Sequence, residues 1–443
     1  MSANTGPARG MRDFLPEDAR RRQYVIGVIA DVFQSYGFEP LETPAVENLE
    51  TLLGKYGEEG DKLIFKILKR GEGAETGQAD LGLRYDLTVP LARVVAEYGA
   101  KLPKFFKRYQ IQPVWRADRP QKGRFREFYQ CDVDSIGSKS VSVEVELLAA
   151  ASEVLQTLRF DSFTIRLNHR KLLAALLTQW NVPKDQQPAF LVALDKLDKV
   201  GFESVQAELA SKQIPIDNIA ALLGLLQAGK DPLEILDNTM PKESDGAEAA
   251  DQLREIRRLC EFTEAAGHIK VDLFLARGLS YYTGPIFEVV VPDLAGSLAG
   301  GGRYDNLIGM FLGDEVPACG ISLGLERILV VMAERGMFPP TLTGTPADVM
   351  VTLWNAGQIE QSLRLAAALR AAGLRVETYP EAANLGKQFR YASSRRIPFV
   401  AIIGDEELAN GTVAVKNMAS GEQLSFTRAA AAQEILKRTA KSE

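Results

Sequence analysis

The sequence predicts an α+β fold, an antiparallel sheet with a helical insertion, followed by a smaller α/β domain. Three observations predict it. Two β-type runs at 104–136, "KFFKRYQIQPVWR" and "EFYQCDVDSIG", flank the polar "ADRPQKGRFR" and read as a long hairpin with a basic loop. From about 170 to 265 the chain turns rich in Leu, Ala, Lys and Gln at helical spacing, an insertion between β segments. Beyond "ERGMFPPTLTGTPAD" at 334–348, which lacks apolar periodicity, the pattern becomes βαβαββα, an α/β domain with a largely parallel sheet. At 443 residues there is room for two or three domains. The boundaries read as 1–335, a linker at 336–347, and 348–443.

The remaining elements follow in chain order. Tyr24, Val25, Val28, Ile29, Val32 and Phe33 form one apolar stripe, so 17–36 is a helix closed by Gly37. "FEPLETPAV" is extended and ends near Pro44. "GLRYDLTVPLARVVAEYG" is a strand running into a helix that begins near Pro90. A helix at about 140–158 precedes a strand at 161–167. β character returns at 271–291, where "ARGLSYYTGPIFE" reads as a strand–turn–strand hairpin around Gly278 and Gly284. "ACGISLGLERILVVM" is a strand entering a helix.

Composition narrows the function classes. Hydrophobic residues make up 46% and charged residues 25%, as in an ordinary soluble globular protein. The apolar runs are far shorter than a bilayer crossing requires, and the N-terminus has no signal-peptide core, so the expected location is the cytoplasm with no membrane partner. Cys131, Cys260 and Cys319 are far apart and fit reduced thiols. His169 and His268 are the only histidines, which argues against a His-based triad or a multi-histidine metal centre. The net charge of −6 hides local basic excess: residues 101–126 hold nine Lys/Arg against the single acid Asp118. Residues 346–443 hold twelve Lys/Arg and ten Asp/Glu, or +2, leaving −8 for the rest. Such islands suit a nucleotide or nucleic acid and also fit an unevenly charged surface.

Strand pleat places Phe128, Gln130, Asp132 and Asp134 on one face, and Arg84, Asp86 and Thr88 on another. Acceptors aligned this way could bind an ammonium or a ring N–H; polar alternation toward solvent gives the same pattern. A third segment adds Arg277, Tyr281 and Tyr282. Arginines recur at 116, 119, 124, 126, 277 and 327, and guanidinium matches phosphate oxygens bidentately. There is no GxxxxGK[ST] loop and no strand–GxGxxG–helix unit, so a nucleotide would be held by arginines on a sheet surface.

These stretches resemble a known family. "VWRADRPQKGRFREF" is similar to motif 2 of class II aminoacyl-tRNA synthetases, "GISLGLERIL" to motif 3, and "GFEPLETPAV" to the weaker motif 1. "LRYDLTVPLAR" and "ARGLSYYTGPIFE" resemble signatures of the histidyl-tRNA synthetases, and "LGKQFRYASSRRIPFVAIIG" resembles their anticodon-binding domain. The resemblance spans the chain. It implies a class II synthetase-type antiparallel sheet and a homodimer. The implied reaction forms histidyl-adenylate from L-histidine and ATP, with Mg²⁺ on the phosphates, and then transfers histidine to tRNA(His).

By the same resemblance Asp86, Thr88 and Gln130 would hold the histidine amino group, Leu87 would belong to the histidine site, and Asp134 and Tyr282 would read the imidazole. Tyr281 and Tyr304 would complete the histidine pocket. Arg116 would contact the α-phosphate and carboxylate, Arg124 the distal phosphates, with Asp118 beside the ATP. Phe128 and Arg327 would sandwich adenine, and Arg277 would stabilise the transition state. Gly300 to Gly302 would let backbone approach the substrate. The chain departs from the family pattern at Asp118, usually Glu, at Trp115, usually Phe, and at Ser280, often Asp; "YDLT" replaces "PEGT" of other members. Two rival readings are a histidine-sensing regulatory paralogue of ATP phosphoribosyltransferase, which generally lacks the anticodon domain, and a synthetase for another amino acid.

Overall fold

The computed structural model describes residues 5–121, 123–194, 197–212, 225, 228–276, 281–292, 294 and 296–439. The chain divides into two compact units, 1–13 with 22–337 and 14–21 with 338–443.

In the first unit the strands are β1 (Glu39–Pro40), β2 (Val46–Asn48), β3 (Lys66–Leu68), β4 (Ala79–Leu83), β5 (Phe106–Trp115) and β6 (Glu127–Ile136). They continue with β7 (Thr164–His169), β8 (Ile269–Val271), β9 (Pro285–Val290), β10 (Ala299–Arg303) and β11 (Ala318–Gly324). Among the described residues eight of them form one sheet in the order β1-β5-β6-β11-β10-β9-β7-β8. All its pairings are antiparallel except β1–β5 and β7–β8. The long hairpin is β5–β6, in register from Phe106↔Ile136 to Trp115↔Glu127. The sequence there alternates, and the pleat turns that alternation into a face: Arg108 lies opposite Asp134, Gln110 opposite Asp132 and Gln112 opposite Gln130.

Helices cover the sheet for the reasons their spacing gives. Helix Pro16–Ser35 buries Val25, Ile29, Val32 and Phe33, one stripe at i, i+4, i+7 and i+8. Helix Ser142–Thr157 buries eleven of its sixteen residues, Glu144 and Ser152 among them, so it is enclosed on most sides. The helix after β4 runs Thr88–Tyr98, two residues earlier than Pro90 suggests. Proline fits that first turn because its missing N–H would have no partner there. Helices Arg170–Gln179, Pro232–Thr239 and Asp245–Cys260 lie in the stretch expected as an insertion. His169 caps the first of these, its Nδ1 accepting the Lys171 N–H at 3.1 Å, and burial pushes its imidazole down to about 4.

One expectation needs correction. β9 begins within 276–288, at Pro285, and does not pair with β8, the described strand before it: both pair with β7, which lies between them. The first half of the expected hairpin, residues 277–280, lies outside the described residues.

The second unit carries β12 (Val349–Val351), β13 (Val376–Thr378), β14 (Phe399–Ile402), β15 (Thr412–Asn417) and β16 (Gln423–Thr427), ordered β13-β12-β14-β15-β16. This sheet is mixed, not largely parallel. β12 pairs parallel with β13 and β14, while β14–β15 and β15–β16 are antiparallel. Helices Ile359–Ala371 and Leu385–Ser394 supply the parallel crossovers. Alternation in β12 feeds two cores: Val349 and Val351 pack with Leu365, Leu369 and Ile435, and Met350 packs with Ala392, Ile397 and Ile402.

Candidate functional site

The central strands of the first unit open into a cavity of about 240 Å³. Twelve of the fourteen residues singled out from the sequence line it: Asp86, Thr88, Arg116, Asp118, Arg124, Phe128, Gln130, Asp134, Tyr281, Tyr282, Tyr304 and Arg327. Leu87 does not line it. Its side chain is fully buried, and its carbonyl accepts from Arg108 Nη2 at 3.3 Å. Arg277 lies outside the described residues.

The inner end is a charged network with almost no exposure. Arg108 and Asp134, 0% and 4% exposed in their side chains, form an ion pair at 2.9 Å. Tyr304 donates its hydroxyl to Asp134 Oδ1, and Arg108 Nη1 donates to Gln110 Oε1 at 3.1 Å. Gln110 in turn donates to Thr43 Oγ1 at 2.9 Å and to Gln112 Oε1 at 2.7 Å. Burial raises the Asp134 carboxyl above the usual range, against the opposing pull of Arg108 and the Tyr304 hydroxyl. Burial also lifts the phenols of Tyr281 and Tyr304 well above their ordinary value, so both stay protonated and able to donate. Their rings stack edge-on at 6.0 Å, with Tyr282 at 5.0 Å from Tyr281.

Two glycines make this packing possible. A Cβ on Gly320 would fall 1.8 Å from Asp134 Oδ1, so the carboxylate lies flat over the neighbouring strand only because no side chain stands there. A Cβ on Gly302 would meet Pro285 O at 2.6 Å and Tyr282 Cδ1 at 2.9 Å. Of the three glycines expected to admit substrate, Gly300 lines the cavity; Gly301 and Gly302 instead let neighbouring strands and Tyr282 close up.

Asp86 follows β4, where the chain turns into helix Thr88–Tyr98. Its Oδ1 accepts the Val89 N–H at 3.0 Å and the Tyr56 hydroxyl at 3.1 Å. Its Oδ2 is buried and accepts nothing among the described residues. Desolvation raises this carboxyl, with the Val89 N–H and Arg116 opposing.

Toward the mouth the side chains are half-buried or exposed. Arg116 Nε donates to Tyr85 O at 3.0 Å, and its guanidinium lies over the Tyr85 ring at 4.3 Å and the Phe128 ring at 5.1 Å. Arg124, 50% exposed, pairs with Asp118 at 3.2 Å. Arg327 Nη1 donates to Ser297 O at 2.5 Å. Glu326 at the same end accepts from Arg22 Nη1 at 2.8 Å and from the Tyr129 N–H at 3.0 Å, tying helix Leu325–Glu334 to β6.

Sequence reading missed Arg108, Tyr56, Ser322 and Glu326, and placed Asp132 on the right face without a role. Arg108 was legible in part: "RYQIQ" alternates polar and apolar residues within a strand. What hid it is that the polar face of this hairpin points inward. Chemically, the cavity joins acid and amide acceptors at one end to guanidinium groups and an aromatic face at the other. It suits a molecule with a cationic or N–H-rich head and an anionic tail beside a planar ring.

Comparison with known proteins agrees in two independent ways. The family profile described as histidyl-tRNA synthetase matches residues 10–328, and the one described as anticodon binding domain matches 348–438. The histidine–tRNA ligase of Phocaeicola vulgatus is 41% identical over 448 aligned residues, covering 96% of this chain and 97% of the relative. That of Porphyromonas gingivalis is 43% identical over 436, covering 94% and 95%. Among solved structures, the histidyl-tRNA synthetase of Nostoc sp. PCC 7120 superposes with a TM-score of 0.83 at 31% identity, covering 99% of this chain and all of that one. A Bacillus halodurans protein described as an ATP phosphoribosyltransferase regulatory subunit/histidyl-tRNA synthetase, 22% identical with TM-score 0.72, shares the fold and covers 89% and 98%.

Proposed function

The chain belongs to the histidyl-tRNA synthetase family, and from that premise we propose how its residues divide the work. It is a histidine–tRNA ligase: it joins L-histidine to ATP as histidyl-adenylate and passes the histidyl group to tRNA(His). The regulatory reading is not favoured. The relatives at about 40% identity are ligases along their whole length, and the anticodon-domain profile is matched as well.

The observation that carries the division of roles is a single cavity with acceptors at its inner end and arginines at its mouth. Asp86, Thr88 and Gln130 would take the α-ammonium, and Asp134, Tyr281, Tyr282 and Tyr304 would enclose the imidazole. Asp134 is already spoken for by Arg108 and Tyr304, so its position against the ring is fixed before substrate enters. Arg116 would meet the carboxylate and α-phosphate, and Arg124 the distal phosphates, exchanging Asp118 for phosphate oxygens. Phe128 and Arg327 would face the adenine. Arg277 would stabilise charge on the reacting phosphate. Mg²⁺ would enter on the ATP phosphates and neutralise their charge. The carboxylates near the mouth, Asp118 and Glu326, are engaged with Arg124 and Arg22.

The unit at 348–443 would read the anticodon stem-loop through exposed Lys387, Arg390, Arg395 and Arg396. We further propose a cytoplasmic homodimer; no helix among the described residues is long and apolar enough to cross a membrane. Histidine-dependent exchange of pyrophosphate into ATP, followed by charging of tRNA(His), tests the reading. Exchange driven equally by other amino acids would overturn it. Removing 346–443 should weaken charging far more than exchange, and unchanged charging by the truncated protein would remove the anticodon role.

A further inference from the structure

Asp132 is the cavity carboxylate that the roles above leave unused. It stands on β6 between Gln130 and Asp134, on their face, and is 2% exposed. Across the strands it faces Gln110 on β5 and Ser322 on β11. Gln130 Nε2 lies 3.4 Å from its Oδ1, but the shorter bond of that amide, 2.8 Å, goes to Ser322 Oγ. Asp134, by contrast, is held from both sides by Arg108 and Tyr304.

The charge count around Asp132 is one-sided. Arg108 reaches it from β5, Asp134 from its own strand and Asp86 from the turn after β4. Arg84, on that same turn, Tyr281 and the Cys131 thiol also sense it. The Arg84 guanidinium donates to Pro113 O, Thr43 O, Pro44 O and Gln112 Oε1, away from the acids. Three buried aspartates thus share the inner cavity against two arginines: Arg108 is committed to Asp134, and the half-buried Arg116 acts on Asp86 and reaches Gln130 Oε1 at 3.5 Å. Asp86 Oδ2 also accepts no hydrogen bond among the described residues. Acid in excess, with an acceptor left over, is a receptor for a cation.

We propose that Asp132 is the counter-ion of the substrate α-ammonium, a specificity-determining residue that selects an α-amino acid over the same molecule without its amine. The inference rests on the histidine-activation reading and adds a residue to it. An ammonium has three N–H donors and must keep them satisfied when it leaves water. Asp86 and Asp132, the latter also hydrogen-bonded to Ser322, offer acceptors from two sides, and the Gln130 carbonyl oxygen, which Arg116 Nη2 reaches only at 3.5 Å, offers a third. Burial pushes the Asp132 carboxyl up to about 7, with Arg108 opposing and Asp134 adding to the rise. Below that pH the carboxyl holds a proton, which the arriving ammonium must expel. Histidine affinity therefore falls as pH drops, by up to about tenfold per unit.

The test compares histidine with imidazolepropionate, which keeps the ring and carboxylate and lacks the amine. Calorimetric titration of each ligand into Asp132→Asn should show histidine weakened by at least about tenfold and imidazolepropionate by less than about twofold. Equal losses for both ligands, or none, would overturn the proposal. A second measurement needs no variant. At pH 6.5, in buffers of different ionisation enthalpy and after correction for ionisation of the ligands, the wild-type protein should release up to about one more proton with histidine than with imidazolepropionate. The α-ammonium makes the imidazole of free histidine more acidic than that of imidazolepropionate, so each free ligand's own ring ionisation at this pH is titrated separately and subtracted, and the remaining difference reports the protein; equal corrected release would overturn the proposal even if the variant fails to fold. Wild-type exchange is measured first. If histidine does not drive it, the parent reading fails; if it does and the two ligands behave alike, this inference alone fails.

Discussion

Two arginine–aspartate pairs lie at opposite ends of one cavity, and they are built from the same chemistry. Arg108 and Asp134 meet at 2.9 Å with side chains 0% and 4% exposed. Arg124 and Asp118 meet at 3.2 Å with 50% and 13% exposed. Solvent separates their meaning. The inner pair has no water to fall back on, so each charge depends on the other and on Tyr304, Gln110 and the Leu87 carbonyl. The outer pair can open at little cost, because water and salt compensate both charges. A rigid end suits recognition of a fixed ring. An exchangeable end suits a polyphosphate that must enter and leave.

The largest effect should come from breaking the inner pair. Arg108→Ala leaves Asp134 buried and uncompensated and should destabilise the fold by about 3–5 kcal/mol. Urea unfolding with an unchanged m-value would measure it. A loss below about 1 kcal/mol would mean that the two pairs are alike.

Arg277→Ala should impair the chemistry and spare the fold. Single-turnover adenylate formation should fall about 10²–10³-fold while the unfolding midpoint stays put. A matching fall in stability would instead class Arg277 with Arg108. The outer pair sharpens the contrast at smaller scale. Arg124→Ala should change stability by less than about 1 kcal/mol and raise the KM for ATP while leaving that for histidine unchanged. If the KM for histidine rises in step, the two ends are not separable.

The last effect has the opposite sign. The folded Asp132 carboxyl is raised to about 7 from its ordinary 3.8, so the folded chain holds a proton that the unfolded chain has released between those values. Its contribution to stability is favourable at low pH and is lost as pH rises through that window. Asp132→Asn removes the penalty, so at pH 8 it should raise the melting midpoint of the ligand-free protein by a few degrees. At pH 4 the difference should vanish. A variant less stable than wild type at pH 8 would show that the Asp132 charge holds the site together.

The sequence by itself determined the local elements. The β5–β6 hairpin, the helices and the two cores beside β12 follow from period-two and period-3.6 apolar spacing, which short-range sterics impose on any chain. The residue types around the cavity were equally legible, because phosphate and ammonium chemistry needs guanidinium groups and acids wherever it occurs. Pairing across long sequence separation was not. That β7 intrudes between β8 and β9, and that the second sheet is half antiparallel, depend on which strands lie adjacent in space. Likewise "RYQIQ" and "QCDVD" look like ordinary solvent-facing alternation until the sheet is assembled. Only the tertiary structure turned those faces inward, set Arg108 on Asp134 over the bare backbone of Gly320, and left Asp132 without a cation of its own. The physical reason is desolvation: a charge has no fixed energetic meaning in sequence, and acquires one when the fold decides whether water can reach it.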